Sequence, residues 1–156
     1  HARAAILEAV DMRIPLIVII TEGIPLHDIA YVIAAARKNN VQIIGPGSVG
    51  IISPGKAKIG RVGGVNRAFT PGNIGIISRS GGMTSETALL LSKNGIGQST
   101  AMSIGGEQLV GMSFADALKL FEHDAETRAI VVFGEIGCYM SRKWLMVWLP
   151  EHFQSQ

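Results

Sequence analysis

The run Ser78-Arg79-Ser80-Gly81-Gly82-Met83-Thr84 sets hydroxyls and two glycines between an apolar stretch and a segment of helical spacing. A helix beginning there leaves its first backbone N–H groups without intrahelical acceptors, and the positive end of its dipole adds to their pull on an anion. Glycine permits a sharp turn and close approach of the anion to the main chain. Ser80 would add a hydroxyl, Thr84 would cap or bind, and Glu86 would stand in the first turn against the same dipole. A phosphate or carboxylate suits this pattern; so does a helix cap that holds no ligand. Gly134-Glu135-Ile136-Gly137 follows the apolar run 129–133. A carboxylate there can orient an imidazole or accept its proton, although most surface glutamates have no such task. Thr21-Glu22-Gly23-Ile24-Pro25 either caps a helix or touches a ligand.

These loops need elements that bring them together. Residues 2–10 predict a short helix, and 16–21, reading LIVIIT, a strand buried on both faces. Pro25 suits the first turn of a helix whose Ile29, Val32, Ile33 and Ala36 recur at helical spacing, and 41–44 is the next strand. From residue 73 the alternation resumes: strand 73–78, helix 84–93, strand 99–104, helix 114–122, strand 129–133. Such alternation predicts an α/β fold with parallel strands, whose sites lie outside the strand C-termini. That rule selects the loops after Thr21, Ile44, Ser78, Ile104 and Phe133. Residues 45–72 carry eight glycines and three prolines and read as a long crossing or binding segment, with an extended piece around 49–52. Near the end, Met140, Trp144, Leu145 and Trp148 form a helical stripe that Pro150 would close, suited to core packing or a partner surface.

Composition narrows the classes. With 156 residues, 47% of them hydrophobic, and a net charge of +2, the chain is neither mostly disordered nor a nucleic-acid clamp. Charge is unevenly placed, because no acidic residue occurs between Asp28 and Glu86. Arg37, Lys38, Lys56, Lys58, Arg61, Arg67 and Arg79 all fall in that interval. The run favours an anionic ligand, an ordinary solvated face or a subunit contact. One cysteine, Cys138, builds no disulfide framework and points to a reducing compartment. Apolar runs are too short for a bilayer-spanning helix, so no membrane role is expected. His1, His27, His123 and His152 form no metal constellation, and neither a P-loop nor a dinucleotide fingerprint occurs. No secretory leader is visible, and a helical pattern starts at once after His1, which suggests a piece of a longer chain.

In order, ITEGIP at 20–25, IGPGSVG at 44–50, SPGKAKIG at 53–60, SRSGGMTSE at 78–86, IGGE at 104–107 and GEIG at 134–137 carry a family resemblance. Together they resemble the α subunits of succinyl-CoA synthetase and related nucleoside-diphosphate-forming acyl-CoA synthetases, including the corresponding part of ATP-citrate lyase. The resemblance implies the C-terminal part of a Rossmann-like CoA-binding domain over 1–60 and a connecting segment over 61–72. A partial flavodoxin-like parallel-sheet ligase domain over 73–137 and a divergent tail over 138–156 would follow.

By the same resemblance, Ile20, Thr21 and Glu22 contact CoA, and Ser80, Gly81 and Gly82 hold phosphate or the substrate carboxylate during transfer. Glu135 would interact with a phosphorylated histidine. The family's cofactors are CoA and ATP or GTP with magnesium, the nucleotide being held mainly by a β subunit or its fused equivalent. A small carboxylic acid is the substrate, and the cytoplasm or mitochondrial matrix the compartment. Succinate is the favoured acid; Ser85, where succinyl-type relatives carry a tyrosine, and GPGSVG, closer to the citrate branch, keep citrate and malate as alternatives. The chain contains no HAGA segment, so none of its four histidines inherits the phosphoryl-accepting role. The family's first glycine-rich CoA loop would precede His1, so CoA binding by these residues alone is expected to be weak or lost and the chain alone inactive. After Gly137 the pattern changes abruptly, as a truncated or altered reading frame would make it. A noncatalytic CoA- or anion-binding or assembly module is the alternative of another class.

Overall fold

A computed structural model of the chain describes residues 1–63, 68–134 and, as a backbone strand, 145–148. Helix α1, Ala2–Asp11, buries Ile6 and Val10 against α2, Leu26–Lys38, which turns Ile29, Val32, Ile33 and Ala36 inward. Those positions recur every three or four residues, as one face of a helix requires. Asp28 in the first turn of α2 and Arg37 and Lys38 in its last suit the helix dipole. Each helix adjoins one of two parallel strands, β1, Leu16–Val18, before α2 and β2, Gln42–Ile44, after it, in register Leu16↔Gln42 to Val18↔Ile44. The strand expected over 16–21 is shorter than its apolar run. Beyond Val18 the backbone bonds to the turn after β2: Ser48 N–H donates to Ile19 O and Gly47 N–H to Thr21 O.

The glycine-rich stretch folds into an antiparallel hairpin, β3, Gly50–Ser53, and β4, Ala57–Gly60. Its crossing is tight: a Cβ at Gly50 would stand 2.0 Å from Ile59 O, and Gly50 has φ +107. The hairpin, grouped with the first unit in the sequence, pairs through β3 with the larger sheet. That sheet continues with β5, Pro71–Ser78; α3, Gly81–Lys93; β6, Gln98–Ser103; α4, Phe114–Glu122; β7, Ala129–Phe133; and β8, Leu145–Trp148. Its order is β4-β3-β6-β5-β7-β8, with β6, β5 and β7 parallel at the centre and antiparallel pairs at both ends.

Helices cover both faces. Ile76, Ala101 and Ala88 of α3 form one core; Ile77, Met102, Ile130 and Ala117 and Phe121 of α4 form the other. Fully burying an isoleucine such as Ile76 stabilises the fold by about 1.5–3 kcal/mol. Ile44 of β2 joins the α4-side core and so packs the small sheet onto the large one.

The tail corrects an expectation. The stripe through Leu145 and Trp148 was expected to be helical, yet 145–148 is a strand antiparallel to β7, with Ile130↔Trp148 and Phe133↔Leu145. Without it, β7 would present an unpaired row of N–H and C=O groups, and pairing overrides local helical spacing. Met140, Trp144 and Pro150 lie outside the described residues. No helix among the described residues is long and apolar enough to cross a membrane.

Candidate functional site

At the C-terminal end of β5 the chain turns directly into α3. The Ser78 hydroxyl donates to Ser80 O at 2.8 Å and accepts the Ser80 N–H at 3.1 Å, closing the turn with a side chain. Ser80 is the N-cap, its Oγ accepting Met83 N–H at 3.4 Å. The backbone N–H and hydroxyl of Thr84 both donate to Ser80 O, at 3.0 and 2.8 Å, and Thr84 is fully buried. Thr84 therefore clamps the turn and is not free to meet a ligand. The N–H groups of Gly81 and Gly82 have no protein acceptor among the described residues. They are the donors that a helix start offers to an anion.

Because this cap starts the helix at Gly81, three residues earlier than the spacing suggested, Glu86 falls in the second turn. The first turn holds no acidic residue. The expectation that Glu86 offsets the dipole in the first turn fails for that reason, and the positive end stays available to an outside anion.

Ser80, Gly81 and Gly82 share a cleft of about 510 Å³ with Ile20, Glu22, Gly47, Ser48, Val49 and Arg61. Close packing sets one wall: a Cβ on Gly81 would stand 2.3 Å from Val49 Cγ1. Val49 O accepts the N–H groups of both Arg61 and Val62 at 2.8 Å, which hangs Arg61 from the same wall. Thr21 faces elsewhere, onto a 310 Å³ hollow between α1 and β1 that Ile20 also lines. Ser85 lies on α3, half-buried, and is not among the residues lining the cleft.

Among the described residues the basic run does not gather into one patch. Lys56 pairs with Glu126, and Arg37 borders a separate hollow with Asp116 and Lys119. Arg79 is buried, its guanidinium donating to Glu107 O and its N–H to Phe133 O. Among the described residues Arg61 is the member that lines the cleft, where Glu22 is the other charged residue. Nothing in its sequence surroundings marked it out from the six other cations, since the β3–β4 hairpin decides its place.

Further bonds tie the strand-end loops together. Ile104 N–H donates to Ser78 O, Gly45 N–H to Ile104 O, and Gly23 N–H to Glu107 Oε1 at 2.8 Å. Ser48 Oγ donates to Ser103 O at 2.5 Å and accepts Gly50 N–H at 2.8 Å, both within the protein interior. Glu135 lies outside the described residues. None of the described histidines, His1, His27 and His123, lines the cleft: His27 is exposed beside Asp28, and His123 Nδ1 bonds Lys119 O. Among the described residues no group of three or more His, Cys, Asp or Glu could hold a metal ion.

Comparison with known proteins adds to this geometry. The CoA-ligase family model matches residues 77–154. The chain is 46% identical over 136 residues to a succinate–CoA ligase [ADP-forming] α subunit of Archaeoglobus fulgidus, covering 87% of the chain and 46% of the relative. To the malate–CoA ligase α subunit of Methylorubrum extorquens it is 40% identical over 158 aligned positions, 99% of the chain and 52% of the relative. The chain thus spans about half the length of these curated relatives. Among solved structures, ATP citrate lyase of Methanothrix soehngenii, in complex with citrate and coenzyme A, superposes with a TM-score of 0.79. Identity there is 28%, over 85% of this chain and 23% of that one.

Proposed function

This chain belongs to the CoA-ligase family, and we propose that it acts as the α-subunit-like part of a nucleotide-dependent acyl-CoA synthetase with succinate as its acid. The observation that carries this reading is the shared cleft, in which Ile20 and Glu22 face Ser80, Gly81 and Gly82. A ligand with an anionic reacting end and a longer body fits that arrangement, since unpartnered amides lie at one side and an exposed apolar residue at the other. CoA, when bound, supplies the thiol for the second transfer.

The work of this chain is to hold charge and align groups. In the first step the acid's carboxylate oxygen attacks phosphorus on a phosphohistidine, the N–P bond breaks, and an acyl phosphate forms. For the second transfer, the Gly81 and Gly82 amides would hold the acyl phosphate and then the phosphate released when its C–O bond breaks on thioester formation. Negative charge must be stabilised throughout, and fixed N–H donors at Gly81 and Gly82 do this without reorganising. Ser80 holds those donors in place. Glu135 orients the imidazole that carries the phosphoryl group. That imidazole comes from outside this sequence, which has no HAGA segment. Nucleotide and magnesium are held mainly by a β subunit or fused equivalent.

Inorganic phosphate added to the 15N-labelled chain tests this reading. The Gly81 and Gly82 amides are expected to shift, and Ser80→Ala to weaken the response; unmoved amides would remove the transfer site. The second reading, a noncatalytic CoA- or anion-binding or assembly module, is favoured by the lack of an HAGA segment and the break in the family pattern after Gly137. Radiolabelled nucleotide with the candidate β partner separates the two. Acid- and CoA-dependent turnover of label in the complex supports the ligase, and covalent label on this chain contradicts the external histidine.

A further inference from the structure

The IGGE glutamate takes no part in the transfer just described, yet it is bonded to both halves of the cleft. Glu107 Oε1 accepts the N–H of Gly23, the residue after Glu22, at 2.8 Å. Its main-chain carbonyl accepts a hydrogen bond from the buried guanidinium of Arg79, the residue before Ser80. Its methylene stem lies against Gly47, where an added Cβ would stand 3.2 Å from Glu107 Cγ and 3.6 Å from Glu22 Cγ.

Sterics do not hold the turn at Gly23, which has φ +68 and no atom within 4 Å of an added Cβ. The rest of the segment is tied by main-chain bonds, Gly47 N–H to Thr21 O and Ser48 N–H to Ile19 O, at 3.1 and 3.3 Å. The charge-assisted bond to Glu107 is the one side-chain tie on residues 19–25 among the described residues.

From this geometry we infer that Glu107 is a positioning residue that sets the 20–23 segment against the α3 N-terminus. The inference rests on the reading of Ile20 and Glu22 as CoA contacts. Arg79 grips the main chain at Glu107, so changing the side chain there releases Gly23 and leaves the α3 side anchored.

The test uses the 15N-labelled chain as wild type, Glu107→Gln and Glu107→Ala, with CoA and inorganic phosphate as probes. Glu107→Ala is expected to move the Gly23 amide proton upfield and weaken CoA binding about tenfold. The phosphate response of Gly81 and Gly82 and the thermal midpoint should stay as in wild type. Glu107→Gln keeps an acceptor oxygen and should restore most of both effects. An unmoved Gly23 amide in Glu107→Ala, a Gln variant as impaired as Ala, or an equal loss of the phosphate response would overturn the positioning role. If CoA shifts other amides of the chain but not those of Ile20 and Glu22 while the Gly23 amide behaves as stated, the CoA reading of Ile20 and Glu22 falls and the positional role stands.

Discussion

On the large sheet, the α3 N-terminus is held by residues next to it in the chain: Ser78 closes the turn, Ser80 caps the helix and Thr84 clamps the cap. Beside the small sheet, the 20–23 segment takes its one side-chain bond among the described residues from a residue 84 positions away. The first arrangement forms whenever the local chain does; the second exists only after two sheets have packed. Local closure leaves amides preorganised for an anion, whereas distant closure lets the other wall of the cleft depend on how the sheets meet.

The largest effects should test whether the two sheets fold as one. Ile76, beneath α3, and Ile29, in the small sheet's core, are both essentially buried. Truncating either to alanine should cost about 2–5 kcal/mol. Denaturant unfolding should show a single lowered transition for both variants, because Ile44 packs the sheets together. A separate early transition for Ile29→Ala alone would divide the molecule into independent units.

Next come the two glycines that differ most in surroundings. Gly81→Ala drives a methyl into Val49, with an expected loss of about 1–3 kcal/mol and of the phosphate response at Gly82. Gly23→Ala meets open space and carries only the left-handed backbone penalty, about 1 kcal/mol. Equal losses in urea titration would erase the contrast between a packed wall and a tethered loop.

Ser80→Ala should cost about 1 kcal/mol as a lost N-cap, with phosphate binding weakened in the same variant. A loss of stability with unchanged phosphate binding would separate the cap from the anion site.

The smallest expected effect is a pH dependence remote from the cleft. Hydrogen bonds from the Ser113 side chain and backbone hold the Asp116 carboxyl below its ordinary value, with lesser help from Lys119 and Arg37. Since the folded state favours the charged form, this contribution is present above the unfolded carboxylate range. It is lost as pH falls through the lowered folded value. Asp116→Asn should remove that acid-side slope from stability measured against pH while leaving the phosphate response of α3 unchanged.

Much of the architecture was legible locally. The helix over 114–122 and the strand over 129–133 match α4 and β7 because apolar spacing, a Ser113–Asp116 capping box and a β-branched run agree there. The Ser80–Gly81–Gly82 turn could be read for the same reason: hydroxyl, glycine and helix start lie within a few residues. The α3 boundary was misjudged because glycines weaken helical propensity while the cap and clamp more than offset it. The tail strand could not be read, since its extended form depends on the open edge of β7. Nor could Arg61 be singled out, because the hairpin that carries it joins a sheet whose other strands come later in the chain.

Residue order alone specified the α/β alternation and the helix-start chemistry, because each depends on side-chain periodicity or on hydrogen bonds within a short span. Which loops meet across the cleft, which cation borders it, and that Glu107 reaches Gly23 were decided by sheet packing. Those contacts join residues whose separation along the chain says nothing of their distance until Ile44 and the two cores have brought them together.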